Sequence, residues 1–191
     1  GPIRGLVLVG YMMPMSVTAL LGKNLFLLDG GVINDLLMKV HLISSPIDWL
    51  VNGGTALGAV IAVNCWVGIP FNMLLLTSGL TGISTDIYES ASMDGANAFK
   101  RFIYITLPLM KPAMLSVLML GFIYTFKAFD LMYIMTAGGP FNSTDVLGTY
   151  AYSKAFTQYE FSQGSAIAMV LFACLFLVGI FYLKLLSKED D

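Results

Sequence analysis

Four long apolar runs, separated by shorter polar segments, make up most of the chain. A helix that crosses a membrane needs about 20 mostly apolar residues, and each run is long enough. Lipid cannot satisfy open backbone groups and the runs are too long for barrel strands, so helices are the expected form. The pattern predicts an all-α, polytopic membrane helical bundle that forms a single domain over residues 1–191. The predicted spans are 3–22, 55–80, 112–135 and 164–186.

The composition supports this prediction and excludes several other functions. Hydrophobic residues make up 57% of the chain and charged residues only 12%, whereas a soluble domain carries about 25% charged residues. The net charge of −2 gives no basic surface that would suggest nucleic acid. Cys65 and Cys174 lie inside apolar runs and His41 is the only histidine, so neither a disulfide framework nor a metal site is expected.

The distribution of basic residues predicts the orientation of the spans, because cytoplasmic loops carry an excess of Lys and Arg. One side of the bundle holds the larger set, close to the span ends. The loop 81–111 and both termini are therefore expected in the cytoplasm, and the loops 23–54 and 136–163 outside. The larger set is Arg4, Lys100, Arg101, Lys111, Lys184 and Lys188, and the smaller set is Lys23, Lys39 and Lys154.

The predicted cytoplasmic loop has the pattern of two short helices. Asp86 can cap the first helix, with Glu89 three residues later in the manner of a capping box. Asp94-Gly95 then interrupts the pattern, because glycine is unfavourable inside a helix and readily takes a positive φ. Pro108 is predicted to end the second helix, since proline disfavours a helical residue before it. Two helices joined at a glycine turn are expected along the inner face of the membrane.

The same loop resembles the EAA loop of the permease subunits of ABC importers. The resemblance is carried by Glu89, Ala91, Asp94 and Gly95, while Ser90 stands where the motif has its first alanine. The motif continues with Ala96, Phe102, Ile105, Leu107 and Pro108. The resemblance implies that the first helix docks into a groove of an ATPase subunit. Glu89, Ala91, Asp94 and Gly95 would then couple nucleotide-driven motion to the spans.

A second block resembles the carbohydrate-type members of that family, such as the permeases of maltose and glycerol-phosphate importers. Residues 136–140 read Thr-Ala-Gly-Gly-Pro, and residues 31–34 read Gly-Val-Ile-Asn. A Gly-Gly-Pro sequence alone indicates only a turn, but its distance from the EAA-like loop makes it more specific. The block continues with Ser143, Thr144, Tyr150, Tyr152, Ala155, Phe156, Gly164, Ser165 and Ala166.

The resemblance implies partners and a cellular setting. An ATP-binding cassette ATPase dimer would bind ATP and Mg, so this chain is expected to bind no cofactor and to be no enzyme. A second homologous permease would form a heterodimer with it, and an extracytoplasmic solute-binding protein would deliver a sugar or oligosaccharide. Such subunits are multi-pass proteins of the prokaryotic cell inner membrane, usually with about six core spans. The four predicted spans would be the last four, with the N-terminal spans missing.

Polar and small residues within the second span are candidates for the solute cavity. Asn64, Gly68 and Phe71 fall on one helical face, and Pro70 removes one backbone hydrogen bond beside them. An amide next to a small residue and an aromatic side chain suits a sugar, because the sugar hydroxyls can bond to the amide and the sugar ring can stack on the aromatic ring. Packing between helices is the alternative, because amides and small residues also join spans.

A second candidate group interrupts the third span: Tyr124, Thr125, Lys127 and Ala128. Lys127 lies about 12 Å below the outer end of this span by helix rise, and charges at that depth are costly. Asp130 could neutralise it as a structural pair. Alternatively, Lys127 faces the cavity and binds a hydroxyl, carboxylate or phosphate, which would favour an acidic sugar.

The chain contains no G-x-x-x-x-G-K-[ST] motif, so ATP hydrolysis is expected on a partner subunit. The predicted function is that of an importer permease working by alternating access. One alternative is an ion-coupled secondary transporter that uses Lys127 and Asp130 as a relay. Another is a membrane scaffold without transport activity, in which the inner loop only tethers a cytoplasmic protein.

Overall fold

The computed structural model describes residues 2–187, and in that range it contains helices and connecting loops but no strands. The elements follow the apolar runs but divide two of them. In chain order they are α1 (Pro2–Tyr11), α2 (Met15–Leu25), α3 (Val32–Lys39), α4 (Gly53–Thr81), α5 (Thr85–Met93), α6 (Ala98–Arg101), a π-helical turn (Phe102–Thr106), α7 (Leu107–Leu109), α8 (Lys111–Phe126), α9 (Asp130–Thr136), α10 (Leu147–Tyr152), a second π-helical turn (Ser153–Thr157) and α11 (Phe161–Ser187).

Two helices correspond closely to predicted spans. α4 contains the predicted span 55–80, and α11 contains the predicted span 164–186. By length and apolarity, Gly53–Thr81 and Phe161–Lys184 are long enough to cross a membrane. A third candidate is the pair Ala98–Leu109 and Lys111–Phe126, which bends by 63°. The all-α membrane fold is confirmed, but only these two predicted spans are single helices.

The first predicted span, 3–22, is not one helix, and its interpretation as a continuous span was wrong. α1 ends at Tyr11 and α2 begins at Met15, with Pro14 between them at φ −56° and ψ 141°. Proline has no N–H to donate, and it forces the residue before it towards extended backbone. The Pro14 carbonyl accepts the Thr18 N–H at 3.0 Å and so starts the second helix.

The third predicted span, 112–135, is divided as well. α8 ends at Phe126, and Phe129 has φ −123° and ψ −56° before α9 begins. Asp130 stands in the first turn of α9, where a carboxylate is favoured by the positive end of the helix dipole. Ala128 packs against the buried core from this break. A hydropathy window misses such a break, because the flanking residues are apolar on both sides.

The core brings α2, α4 and α9 together. Its buried members come from all three helices, with Leu131, Met135 and Val60 almost fully enclosed. The full set is Ala19, Phe26, Ala59, Val60, Val63, Leu131, Met132 and Met135. α2 approaches α4 closely because Gly22 has no side chain; a Cβ there would lie 2.7 Å from Val63 Cγ2. Small residues allow this kind of close helix contact in membranes.

Asn34 holds together the loop 23–54, which is predicted to lie outside. Its side chain is 1% exposed. The Nδ2 group donates to the carbonyls of Leu27 at 3.1 Å and Ile47 at 2.9 Å, with Leu28 at 3.4 Å sharing a proton. Oδ1 accepts the Ile47 N–H at 3.1 Å and the Trp49 Nε1–H at 2.8 Å. One buried amide in α3 thus joins the segment before this helix to the segment that leads into α4.

The second outer loop is held to α11 by aromatic rings. Successive ring centroids in this series lie between 4.9 and 6.2 Å apart, a spacing typical of favourable aromatic pairs. The series runs through Phe129, Tyr133, Tyr152, Phe156 and Phe161. In the same loop, Thr144 Oγ1 donates to the Gly139 carbonyl at 2.7 Å, and this bond fixes the Gly-Gly-Pro turn. Both loops, 23–54 and 136–163, are therefore folded structures.

We expect Gly79→Ala to weaken the contact between α4 and α8. A Cβ at Gly79 would lie 2.5 Å from Ala113 Cβ, and Ala113 has no rotamer with which to avoid it. Overpacking of this kind costs about 1–3 kcal/mol, so the purified chain should unfold at a lower temperature in detergent. Gly58→Ala is the control, because nothing lies within 4 Å of a Cβ in that part of α4. Equal melting temperatures for the two variants would contradict this packing.

Candidate functional site

The first helix of the loop 81–111 starts two residues earlier than predicted. Ser84 is its N-cap, in extended backbone, and its Oγ accepts the Asp86 N–H at 3.3 Å. The predicted capping box of Asp86 and Glu89 was wrong, because Asp86 is already helical and cannot serve as the cap. Asp86 instead places a carboxylate in the first turn, where it is favoured by the helix dipole.

The predicted glycine turn is present at the end of α5. Asp94 is the C-cap and Gly95 has φ +77°. The Gly95 N–H donates to the Ser92 carbonyl at 3.1 Å, and the Ala96 N–H donates to the Ala91 carbonyl at 2.9 Å. This paired arrangement is the Schellman motif, which favours glycine at the left-handed position. Asn97 then caps the next helix, its side chain accepting the Lys100 N–H at 2.9 Å.

The surface of α5 is open to a partner. None of its residues is buried, and the Met93 side chain is 90% exposed. Glu89, Asp94 and Gly95 are exposed and Ala91 is half-buried. The structure therefore brings all four residues of the EAA-like motif to one short, accessible helix and its terminal turn.

The second helix of the inner loop does not end at Pro108, contrary to the sequence-based prediction. It continues to Leu109 through the π-helical turn Phe102–Thr106. A π turn is wider than an α turn, and we attribute the passage of Pro108 to this, since a proline ring otherwise clashes with the carbonyl four residues earlier. The break comes at Met110, and the chain bends by 63° into α8.

Aromatic side chains from three helices meet at the predicted cavity face of α4. The Phe71 and Tyr124 rings meet edge to face, with centroids 5.6 Å apart. Tyr11 stacks on Phe71 at 6.0 Å. Sequence reasoning missed Tyr11, because nothing in the first apolar run indicates that its C-terminal end faces α4. Tyr11 and Tyr124 are both about half exposed, at 49% and 54%, so the cluster borders open space.

Asn64 and Gly68 leave room beside this cluster. Asn64 is half-buried, and its side-chain amide makes no hydrogen bond to any residue that the structure describes. A Cβ at Gly68 would have only Asn72 Nδ2 nearby, at 3.8 Å. An amide with free donors and an acceptor, next to a gap and aromatic rings, is suited to a polyhydroxylated ligand. Among the described helices, no partner side chain supports the alternative interpretation of Asn64 as a contact between helices.

The remaining predicted cavity residues do not converge on this point. Thr125 lines a different cavity, of about 500 Å³, between α8 and the segment that leads into α10. Ala128 packs against the core. Lys127 is exposed at the end of α8 and, within residues 2–187, forms no ion pair with Asp130. The structural pair considered above is thus not formed in this conformation.

The fold and these sites define a helical membrane protein with an exposed loop that carries the EAA-like motif and a polar, aromatic face on its apolar helices. The sequence model of one family, described as the binding-protein-dependent transport system inner membrane component, matches residues 1–188. The chain belongs to this family, and its helices accordingly lie in a cell membrane.

Individual relatives agree with this assignment. A probable ABC transporter permease protein of Brucella suis biovar 1 is 31% identical over 188 residues, covering 98% of this chain and 65% of its own length. The trehalose/maltose transport system permease protein of Thermococcus litoralis is 34% identical, covering 96% of this chain and 61% of its own length. The chain thus spans less than two thirds of the length of these relatives.

Solved structures give the same fold. In the crystal structure of a bacterial ABC transporter involved in the import of the acidic polysaccharide alginate, one chain superposes with a TM-score of 0.87 at 19% identity. The match covers 100% of this chain and 66% of that one. At this identity the match establishes the fold.

Proposed function

We propose that this chain belongs to the permease subunit of an ATP-driven ABC importer for a sugar, oligosaccharide or related polar solute. The observation that carries the proposal is the family match over residues 1–188. The exposed helix α5, ended by Gly95 at φ +77°, supports it because a docking helix needs an open surface and a fixed exit angle. The open amide of Asn64 beside Phe71 and Tyr124 supports a polyhydroxylated solute.

The proposal assigns three protein partners. An ATPase dimer binds the exposed side of α5 and carries ATP and Mg, so that this chain itself catalyses no reaction. A second, homologous permease covers the half-buried Asn64 and completes the pathway. A solute-binding protein docks on the folded outer loops, 23–54 and 136–163. The ordered Asn34 network and the aromatic series give these loops the defined shape that docking needs.

Alternating access then follows from two arrangements of the spans. ATP binding closes the ATPase dimer and displaces α5, which biases the packing of α4 and α8 towards an outward-facing state. Solute released by the binding protein contacts Asn64, Gly68 and Phe71. ATP hydrolysis returns the spans to the inward-facing state. The divided spans at Pro14 and Lys127 provide places where short helices can shift without unfolding a long one.

Uptake into proteoliposomes tests this proposal. The complete transporter, with its ATPase, second permease and binding protein, is reconstituted with ATP inside or outside, and radiolabelled trehalose, maltose and alginate oligosaccharide serve as probes. Uptake of at least one probe that requires ATP on the ATPase side, and that survives collapse of the proton gradient, is expected. Uptake that needs a proton gradient and no ATP would indicate the ion-coupled alternative. ATP hydrolysis without any flux would indicate the scaffold.

We also propose that Lys127 contributes to the choice between anionic and neutral solutes. Its ammonium group is exposed and unpaired among the described residues. A hydrogen bond to a charged group contributes about 1.5–3 kcal/mol, so Lys127→Ala should lower uptake of alginate oligosaccharide at least about tenfold and leave trehalose uptake nearly unchanged. Lys127→Arg keeps the charge and is the matched control. Unchanged uptake of both probes by Lys127→Ala would remove Lys127 from the site.

A further inference from the structure

Few structural features hold α5 in place apart from its own turn. None of its residues is buried, and a Cβ built at Gly95 would meet nothing within 4 Å. The turn at Gly95 sets the direction in which α5 leaves, but one left-handed residue does not by itself resist a force applied to α5. If nothing else joined them, a force applied to α5 would rotate it about this turn and would not reach α8.

Two side-chain hydrogen bonds join α5 to the following helix, and each is continued by a second bond to a backbone carbonyl. The Tyr88 hydroxyl and Thr106 Oγ1 lie 2.9 Å apart, and Thr106 Oγ1 lies 3.4 Å from the Arg101 carbonyl. Arg101 Nη1 donates to Ser92 Oγ at 2.7 Å, and Ser92 Oγ donates to the Tyr88 carbonyl at 2.8 Å. We call this set, Tyr88, Ser92, Arg101 and Thr106, the coupling circuit.

The donors and acceptors of the coupling circuit are consistent with one another. A hydroxyl has one proton, so when Thr106 donates to the Arg101 carbonyl, the Tyr88 hydroxyl donates to Thr106. Ser92 likewise accepts from the guanidinium and donates to Tyr88. Chains of hydrogen bonds with one direction strengthen each other. Thr106 is only 8% exposed, which protects its bonds from competition by water.

The position of the coupling circuit suits the transmission of motion. Thr106 belongs to the π-helical turn, and π turns within helices occur frequently at functional sites. Tyr88, Arg101 and Thr106 line a cavity of about 440 Å³ together with Leu80 at the end of α4 and Met110 at the bend into α8. The coupling circuit therefore lies where α5, α4 and the bent helix pair meet.

We propose that the coupling circuit makes α5 and the helix 98–109 one rigid body, so that displacement of α5 is passed through the bend at Met110 to α8. This inference rests on the proposed function and adds Tyr88, Ser92, Arg101 and Thr106 to it as positioning residues. Without the circuit, α5 still docks on its ATPase but turns about Gly95. ATP hydrolysis then continues while the spans respond less.

The chain offers matched variants that distinguish loss of the coupling circuit from a general change at the surface of the protein. Tyr88→Phe and Thr106→Val each remove one hydroxyl of the circuit, whereas Thr106→Ser retains the hydroxyl. Tyr104→Phe is the control for Tyr88→Phe, because Tyr104 is 76% exposed and makes no hydrogen bond with the described residues. Ser92→Ala has Ser78→Ala as its control, since Ser78 lies in α4, is exposed, and makes no side-chain hydrogen bond with the described residues.

The functional test uses the complete reconstituted transporter with radiolabelled trehalose, maltose and alginate oligosaccharide. The measured quantity is the ratio of solute taken up to ATP hydrolysed. Tyr88→Phe, Thr106→Val and Ser92→Ala should each lower this ratio about fivefold, the factor that one hydrogen bond of ordinary strength contributes to an equilibrium. Thr106→Ser, Tyr104→Phe and Ser78→Ala should keep the wild-type ratio. Uptake and hydrolysis that fall together, at a constant ratio, would overturn the inference.

A second measurement does not depend on the solute. Nitroxide labels at Asp86→Cys and Ile103→Cys, with Cys65 and Cys174 replaced by alanine, report the distance between the two helices by EPR. The transporter should show one narrow distance with and without ATP, and Tyr88→Phe should broaden it. A narrow distance in both proteins would overturn the rigid-body inference. Failure of the wild-type complex to take up any probe with ATP would instead overturn the proposed function.

Discussion

Replacing Gly95 by valine is expected to lower ATP-driven uptake at least about tenfold. Gly95 has φ +77°, and a side chain with a branched Cβ is strained in that region by about 1–2 kcal/mol or more, which corresponds to about a factor of ten. The chain relieves this strain by giving up the two hydrogen bonds that close the turn. α5 then leaves at another angle and no longer presents Met93 and Glu89 in the orientation that the proposed docking on an ATPase requires.

The neighbouring helix end supplies the control for this prediction. Gly82 is the C-cap of α4 at φ −75° and ψ −13°, a conformation that any residue adopts, and the nearest atom to its Cβ is the Gly79 carbonyl at 3.4 Å. Gly82→Val should therefore retain most of the uptake. Both variants must co-purify with the ATPase in wild-type amounts for the comparison to report coupling. Equal uptake by Gly95→Val and wild type would show that the turn angle is unimportant.

Hydropathy predicted the two spans whose helices are uninterrupted. α4 and α11 extend only a few residues beyond the predicted boundaries, because a run of apolar side chains and an unbroken helix coincide there. The other two runs are equally apolar, but their backbones are interrupted at Pro14 and near Lys127. A hydropathy sum contains only side-chain values. It therefore does not register the missing N–H of Pro14 or the new helix that begins at Asp130. The fold class was therefore predictable, whereas the number of continuous helices was not.

The candidate site was predictable where it depends on neighbours in sequence. The glycine turn at Gly95 and the shared face of Asn64, Gly68 and Phe71 follow from local conformation and helical spacing. The approach of Tyr11 to Phe71 depends on tertiary packing, which spacing within one helix does not contain. The coupling circuit depends on the π turn as well, because one extra residue in the turn changes which side Thr106 faces.

Asn34→Ala is expected to cause the largest loss of stability among these variants. Asn34 is 1% exposed, and its amide bonds to the segments before and after α3. Its removal leaves the Trp49 Nε1–H and the backbone groups of Ile47 without partners. Each buried polar group that is left without a hydrogen-bond partner costs about 1–3 kcal/mol, and the total loss of stability should reach about 3 kcal/mol. Limited proteolysis should then cut the loop 23–54, while Asn24→Ala, which loses only one exposed bond to Leu20, should stay resistant.

Asn34→Asp separates the loss of donors from the loss of volume. Oδ1 of the new carboxylate still accepts from Ile47 and Trp49, but the second oxygen faces the carbonyls of Leu27, Leu28 and Ile47, which the amide bonds as a donor. Repulsion between these oxygens raises the pKa of that carboxyl above its value in the unfolded chain. The variant is therefore least stable above the folded-state pKa, where the group is charged. Its stability relative to wild type should recover as the pH falls through that pKa, because a protonated carboxyl donates one bond again. A melting-temperature difference from wild type that stays constant between neutral and acidic pH would show that the loop depends on the shape of Asn34 and not on its donors.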